Sequence, residues 1–459
     1  MLTSDKLLEL QSYYSSNHVH TDMGSNLRML DCTSTVSSVL ERASELGYSG
    51  ITITEHESLT SHIQFMKQSK KYPNLKIAYG NEIYLVDKVP LERGEKYHHF
   101  IIVAKDKYGH EILRRLSSKA WSQSYFTGKM RRVPITYSQV EEIMNEFNGY
   151  GHIQISTACL GSYLSSCTKA FLETKNIEEK KKIHTFLTWC INTFGKENIF
   201  LEIQPNDDIE QVEYNKFLLM LSKAYDLPIH ITNDVHYIRK EHKEIHKAFL
   251  QSRDGDRETD DFYKTCYFMT VEEMYNYVSS YISDEQFEEI ILNTSKFINQ
   301  CEQYDLFHPT IVPKRSDIDV NFQSTHLLKE YYDEYEYLKK YAFSHHEQDR
   351  FMLSEIEKGL IRHNIPYKDN PIYLDRINKE LTELWLISER LGERMSSYYN
   401  ITQDLINVIW KVALVGCGRG SVGSWYSAYL MDIHQVDSIK YGLDMYWRHI
   451  ERNKVSLPK

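Results

Sequence analysis

The sequence predicts an α/β fold: a closed, distorted barrel of about seven strands with helices outside it, followed by a mostly helical segment. Three observations carry this. Short β-branched runs alternate with amphipathic stretches up to about residue 240, the pattern then turns helical, and side chains able to bind metal recur at the ends of the strand-like runs.

In order, the strand-like runs are NHVH at 17–20, GITIT at 50–54, KIAYG at 76–80, HFIIVA at 99–104, HIQIS at 152–156, IFLEI at 199–203 and IHIT at 229–232. Between them lie helical patterns such as TVSSVLERASELG at 35–47, KYGHEILRRLSSKAW at 107–121 and EEKKKIHTFLTWCINTFG at 178–195. Such alternation predicts a parallel sheet with crossover helices, and this number of strands favours closure over an open doubly wound sheet. Beyond residue 305, HPTIVPKRSDIDVNFQ at 308–323 carries two prolines and few apolar residues, as a linker does. Charged, Tyr-rich helices follow, and their alternating charge is a solvated face. The predicted division is 1–285, a helical connection and linker at 286–325, and 326–459.

A chain of 459 residues exceeds one ordinary hydrophobic core, so two domains are expected. The longest apolar runs fall well short of a membrane span, and MLTSDKLLELQSYYSS lacks the layout of a signal peptide, which predicts a cytoplasmic protein with no membrane partner. Seven cysteines without a C-x-x-C pair argue against a disulfide framework or a zinc ribbon. The formal charge of −10 offers no global basic footprint, so any nucleic-acid contact must come from local cations or from metal ions meeting phosphate.

Nine residues form the candidate metal constellation: His18, His20, Asp31, His56, Glu82, His99, Cys159, Asp234 and His236. With 20 histidines in the chain, about one H-x-H arises by chance, so NHVH alone says little. Placement says more. Residues i and i+2 of a strand face the same way, so His18 with His20, and Asp234 with His236, each present two ligands to one side. The other candidates sit at or just past strand ends, the face on which α/β barrels build active sites. His98 and His99 face opposite ways, and only one is expected to be a ligand. A mixed nitrogen, oxygen and sulfur set suits Zn²⁺, Mn²⁺ or Fe²⁺ better than Mg²⁺, and adjacent ions of this kind serve phosphodiester hydrolysis.

The segments NHVHTDMGSNLRMLD, ITITEHESL, GNEIYL, YHHFIIVAKDKYGHEILRRLSSKAW, STACLGS, FLEIQ and ITNDVHYIRKEH resemble, in order, the PHP (polymerase and histidinol phosphatase) domain that opens bacterial replicative DNA polymerase III alpha subunits. The resemblance implies a distorted (β/α)₇ barrel holding up to three Zn²⁺ or Mn²⁺ ions. It carries the ligand role to the nine residues, with His99 rather than His98, and catalytic roles to His56, Asp234 and His236. In some members the site is only structural, and in others it is a 3′–5′ exonuclease acting on the primer 3′ end of DNA.

A second stretch, ITQDLINVIWKVALVGCGRGSVGSWYSAYLMDIHQVDSIKYGLDMYWRHIERNKVSLP, is similar to the start of the alpha-subunit palm. There the resemblance assigns the triphosphate of an incoming deoxynucleoside triphosphate to Gly418, Arg419, Gly420 and Ser421, with Gly423 and Ser424. Closely spaced glycines let backbone amides approach phosphate, and an arginine adds a forked cation. In the family the next residues are an Asp-x-Asp pair for catalytic Mg²⁺, whereas here Val455-Ser456-Leu457-Pro458-Lys459 is followed by none. The expectation is an incomplete palm that exposes apolar surface near Trp425, Tyr426 and Tyr429. Such a chain would use Mg²⁺ and extend primers only with a complementary C-terminal polymerase chain. Two other readings stay open: a stand-alone PHP phosphatase acting on a small phosphoester, and a non-catalytic module of a split polymerase.

Overall fold

All seven strand-like runs become strands of one curled sheet. They are β1 (Ser15–Val19), β2 (Gly50–Ile53), β3 (Lys76–Val86), β4 (His98–Ala104), then, after a small hairpin of β5 (Tyr125–Thr127) and β6 (Met130–Arg132) and the short β7 (Pro134–Thr136), β8 (Ile153–Ser156), β9 (Ile199–Ile203) and β10 (Ile229–Ile231). The computed structural model describes residues 1–446 apart from 29, 93–94, 129, 253–260, 309–310 and 314–321, so most of the expected linker and the segment Val455–Lys459 lie outside the described residues.

The sheet order is β1-β2-β3-β4-β8-β9-β10, with β7 paired to the far end of β3. Its edges meet beyond β10, where Val19 bridges Val235 and the His20 amide donates to the Val235 carbonyl at 3.0 Å. One expectation fails: the sheet is not wholly parallel, because β4 runs antiparallel to both β3 and β8. A parallel pair needs a crossover of a dozen or more residues, usually a helix, and no helix lies among the described residues between Val86 and His98. The chain turns straight back, and the 11-residue β3 offers β4 a long partner, in register from Tyr79–Ala104 to Leu85–His98.

Helices α1 (Ser4–Gln11), α2 (Val36–Glu45), α3 (His62–Gln68), α4 (Lys107–Ser122), α5 (Tyr137–Glu146), α6 (Tyr163–Thr174), α7 (Ile177–Phe194), α8 (Ile209–Tyr225), α9 (Lys243–Gln251), α10 (Val271–Val278) and α11 (Asp284–Asn299) complete the first compact unit, which runs to Leu306. Capping boxes start several of them, Thr35 with Ser38 at α2 and Ser283 with Gln286 at α11 among them. Part of α11 was assigned from sequence to the connection, yet the helix belongs to the barrel and closes its base. Thr294 Oγ1 accepts from the Ser15 amide at 3.0 Å, Asn293 donates to the Ile229 carbonyl at 2.9 Å, and Phe297 packs edge-on against Phe200. With the base sealed, polar residues can face solvent only at the opposite rim.

The second unit holds α12 (Glu336–Ala342), α13 (Glu347–Arg362), α14 (Ile372–Leu391), α15 (Met395–Trp410) and α16 (Tyr426–Leu430) around a core that includes Leu338, Tyr341, Ile356, Leu381 and Tyr399. Trp425 and Tyr426 are buried in this core, contrary to the apolar surface expected there. The buried Glu380 explains their inward turn, since its carboxylate accepts from the Tyr426 and Ser427 amides at 2.8 and 2.7 Å and draws α16 onto α14. Exposed apolar side chains occur instead at Leu405, Val408, Val412 and Leu414.

A Cβ at Gly359 of α13 would meet the Leu430 backbone carbonyl, whereas one at Gly416 would meet nothing. Gly359→Ala should therefore destabilise the second unit by about 1–3 kcal/mol, as overpacking does, and Gly416→Ala should be near neutral in urea unfolding. In the first unit, burial and then Arg114 push His110 down to about 4. An unfolded histidine titrates near 6.5, so the neutral form stabilises the fold above that pH, and this stability is lost as pH falls through about 4. His110→Gln should flatten that part of the acid limb in pH-dependent melting.

Candidate metal centre

The nine predicted ligands gather at the rim opposite α11. His18 and His20 end β1 on the same side, their rings 5.0 Å apart, while Val19 between them is fully buried in the core. His56 follows β2, and its backbone bridges Glu82, which lies midway along the long β3. His99 begins β4, and because β4 is reversed its start reaches the rim where the parallel strands end. Cys159 follows β8, and Asp234 and His236 follow β10, with Asp234 in the left-handed region at φ +48°, a conformation a short polar side chain tolerates. Asp31 comes from the loop between β1 and α2. His98 turns elsewhere, with its ring edge-on to Tyr163 at 5.1 Å, so it is His99 that meets Glu82.

Among the described residues, eight of the nine fall into three groups whose donor atoms lie within 4.8 Å of one another, the first two sharing His20: His20 with His56 and His236, His18 with His20 and Asp234, and Glu82 with His99 and Cys159. The ninth, Asp31, sits 2.8 Å from His56 Nε2 and 3.6 Å from His236 Nε2. Asp234 Oδ1 is 3.1 Å from His18 Nε2 and 3.0 Å from His20 Nε2, and Glu82 Oε1 is 2.6 Å from His99 Nδ1. Yet the Nε2 atoms of His18, His20 and His56, Asp234 Oδ1 and both Glu82 oxygens are buried without an aligned hydrogen bond. Buried polar atoms left unsatisfied cost free energy, and these point their lone pairs at shared space instead of at one another. That arrangement, with its nitrogen, oxygen and sulfur donors, fits divalent transition-metal ions.

Electrostatics divides the histidines. Burial, then the His56 and His236 charges, push His20 down to about 3, leaving it a neutral ligand. Burial opposes a charge on His18 as well, but the Asp234 and Glu202 carboxylates raise it to about 9. Glu82 is held well below the ordinary carboxylate range despite burial, by His99 and His56. Burial, then Asp234 and Glu82, keep the Cys159 thiol well above its usual value, so it would lose its proton only to a cation.

Sequence reasoning missed the residues that hold these ligands. Glu202 on β9 accepts from His18 Nδ1 at 2.7 Å, from Ser156 Oγ at 2.6 Å and from Thr232 Oγ1 at 2.8 Å. This fixes His18 with Nε2 free to ligate, a common carboxylate–histidine–metal arrangement. Glu55 accepts from the Thr21 and Ser25 amides at 2.9 and 3.0 Å, and Ser25 Oγ lies 3.0 Å from His20 Nδ1. Tyr84 Oη lies 2.9 Å from His56 Nδ1 and accepts from Arg28 at 2.6 Å. The available signal was an acid in the middle of an otherwise apolar strand, Glu202 in IFLEI.

In the second unit, Gly418 and Gly420 adopt φ of +119° and +87° and lead into a short 3₁₀ turn, Ser421–Ser424. Arg419 is exposed, while Ser424 is buried, donating to the Ser421 carbonyl at 2.7 Å and accepting from the Tyr446 amide at 3.0 Å.

The PHP domain family matches residues 16–206, and the bacterial DNA polymerase III alpha NTPase domain matches residues 350–459. Over nearly its whole length the chain is similar to DNA polymerases of this kind. It is 41% identical, over 96% of its length, to "Probable DNA polymerase YorL" of Bacillus subtilis (strain 168) and to the "DNA-directed DNA polymerase" of Bacillus phage SPbeta. It is 27% identical, over 97% of its length, to the DNA polymerase III subunit alpha of Aquifex aeolicus (strain VF5). The chain spans 36% of the length of each of these relatives. No helix among the described residues is long and apolar enough to cross a membrane.

Replacing Glu202 by Gln keeps the shape but removes the charge that orients His18. Metal affinity should fall by about 10–100-fold, read by competition with a chromogenic zinc chelator, with little change in circular dichroism.

Proposed function

We propose that the PHP domain is a metal-dependent phosphoesterase that removes nucleotides from a DNA 3′ terminus, in a chain that serves DNA polymerisation. The observation that carries this is the convergence of unsatisfied histidine and carboxylate atoms on shared space at the barrel rim. His18, His20, Asp31, His56, Glu82, His99, Cys159, Asp234 and His236 would hold up to three Zn²⁺ or Mn²⁺ ions, which supply Lewis-acid polarisation of a phosphodiester and activation of water. Glu82 reaches toward both the His56 and the His99 sides of the cluster, so one carboxylate serves two positions. Glu202 keeps His18 in one tautomer, and Tyr84 with Ser25 fixes the His56 and His20 rings, so the chain meets its substrate with the ligands already oriented. His56, Asp234 and His236 are the residues on which hydrolysis depends.

In the second unit, Arg419 and the backbone from Gly418 to Gly423 would take the triphosphate of a deoxynucleoside triphosphate, with Mg²⁺ in the polymerase reaction. The Ser424 hydroxyl is committed within the turn and supports that backbone instead of reaching a ligand.

With Mn²⁺ or Zn²⁺, the purified chain should shorten a 5′-labelled single strand stepwise from its 3′ end, and EDTA or His56→Ala should abolish the ladder without lowering expression or helicity. Shortening that persists in EDTA, or in the His56→Ala protein, would place the activity outside this centre. Arg419→Ala should weaken binding of a fluorescent deoxynucleoside triphosphate and leave the 3′ shortening unchanged.

A further inference from the structure

A cleft of ≈680 Å³ opens beside His99. Two connections at the site rim wall it: the stretch before β4 supplies Lys96 and Tyr97, and the β5–β6 hairpin supplies Tyr125 and Arg132. The His99 side chain is 22% exposed, whereas those of His18, His56 and Glu82 are 0%, 4% and 0% exposed, so the cleft is a face on which the candidate centre meets solvent. Its volume lies within the range of small-ligand pockets, of order 300–1,000 Å³, enough for one nucleotide and far too small for a duplex.

Charge is distributed unevenly around it. On one side Glu92 and Glu95 are paired with Lys88, at 2.6 and 3.5 Å. On the other, the Arg132 guanidinium lies 4.8 Å from the centre of the Tyr97 ring, and the Arg28 guanidinium lies 5.4 Å from the same ring. Arg28 is only 7% exposed and is answered within the fold by Tyr84, Tyr97 and the Asp31 carboxylate, so it steadies the Tyr97 ring. Arg132 lines the cleft itself, and its fork matches phosphate oxygens.

We propose that this cleft is the subsite for the terminal nucleotide of a single-stranded nucleic-acid end, its base against the Tyr97–Tyr125 wall and its phosphate on Arg132. The inference rests on the phosphoesterase reading of the adjoining centre, and it adds which side chains take the terminal nucleotide. Stacking on aromatic walls is tolerant of base identity, so the subsite reads a free end and not a sequence.

Binding tests it without turnover. In EDTA, the full chain should bind a fluorescein-labelled linear oligothymidylate, and Arg132→Ala should weaken that binding about tenfold, the equivalent of one charge-assisted hydrogen bond. A circular single strand should compete poorly, and Lys223→Ala, far from the cleft, should bind as the wild type does. Because Arg132→Ala also removes a cation–π contact with Tyr97, Arg132→Lys is the companion variant; it should melt normally yet bind less well, since an ammonium cannot reproduce the fork. With Mn²⁺, Arg132→Ala should raise KM for the oligonucleotide far more than it lowers kcat, and bis(p-nitrophenyl) phosphate gives a second readout of turnover by the wild type. Undiminished binding by Arg132→Ala, or a circle that competes as well as the linear strand, would overturn the subsite. If the metal-loaded wild type hydrolyses neither substrate, the phosphoesterase reading fails, and the EDTA measurements still decide the cleft.

Discussion

Five imidazoles, three carboxylates and a thiol share one rim of a barrel, most of them buried, and they do not satisfy one another. Pairing every donor with an acceptor would need hydrogens on nitrogens that are already turned toward common points. The surroundings make this tolerable. Glu202 anchors His18 from β9, Glu55 gathers the loop carrying Thr21 and Ser25, and Tyr84 braces His56, so that each ligand is held from behind while its working atom stays free. The protein thus carries a local electrostatic cost that a bound cation would relieve, and metal loading and barrel stability become one equilibrium.

The sealed base belongs to the same arrangement. Because α11 fills the lower mouth with Phe297 and Ile298 against Phe200 and Val103, apolar burial is concentrated there, and the upper rim can be polar without the barrel losing its core. Stability and chemistry occupy opposite ends of the strands, which is the usual division of labour in barrels of this class.

Much of this was legible beforehand. Six of the seven strands carry runs rich in Ile, Val, Leu or Phe that pattern alone finds, whereas β1, Ser-Ser-Asn-His-Val, stands out only by the His18-Val19-His20 step at its end. Direction is another matter: HFIIVA reads the same whichever way β4 runs, and the deciding feature was the missing helix before it. The candidate ligands stand out in the sequence because His and Asp are conspicuous at strand ends. Glu202, Arg28 and Tyr84 were not, since each looks like an ordinary side chain until tertiary contact brings it behind a histidine from a distant part of the chain. Trp425 and Tyr426 show the opposite error, aromatic bulk read as exposed surface when a buried Glu380 carboxylate turns both inward.

The reversed strand has a geometric consequence of its own. In an all-parallel barrel, each strand contributes one connection to the working mouth and one to the back. Turning β4 around brings Lys96 and Tyr97, just before it, to the mouth, and Tyr125 of β5 and Arg132 of β6 line the same opening. None of these four is a candidate ligand, since His99 belongs to the strand proper. The walls of the opening and the donor atoms beneath it therefore belong to different stretches of chain, and a side chain can be changed in one without touching the other.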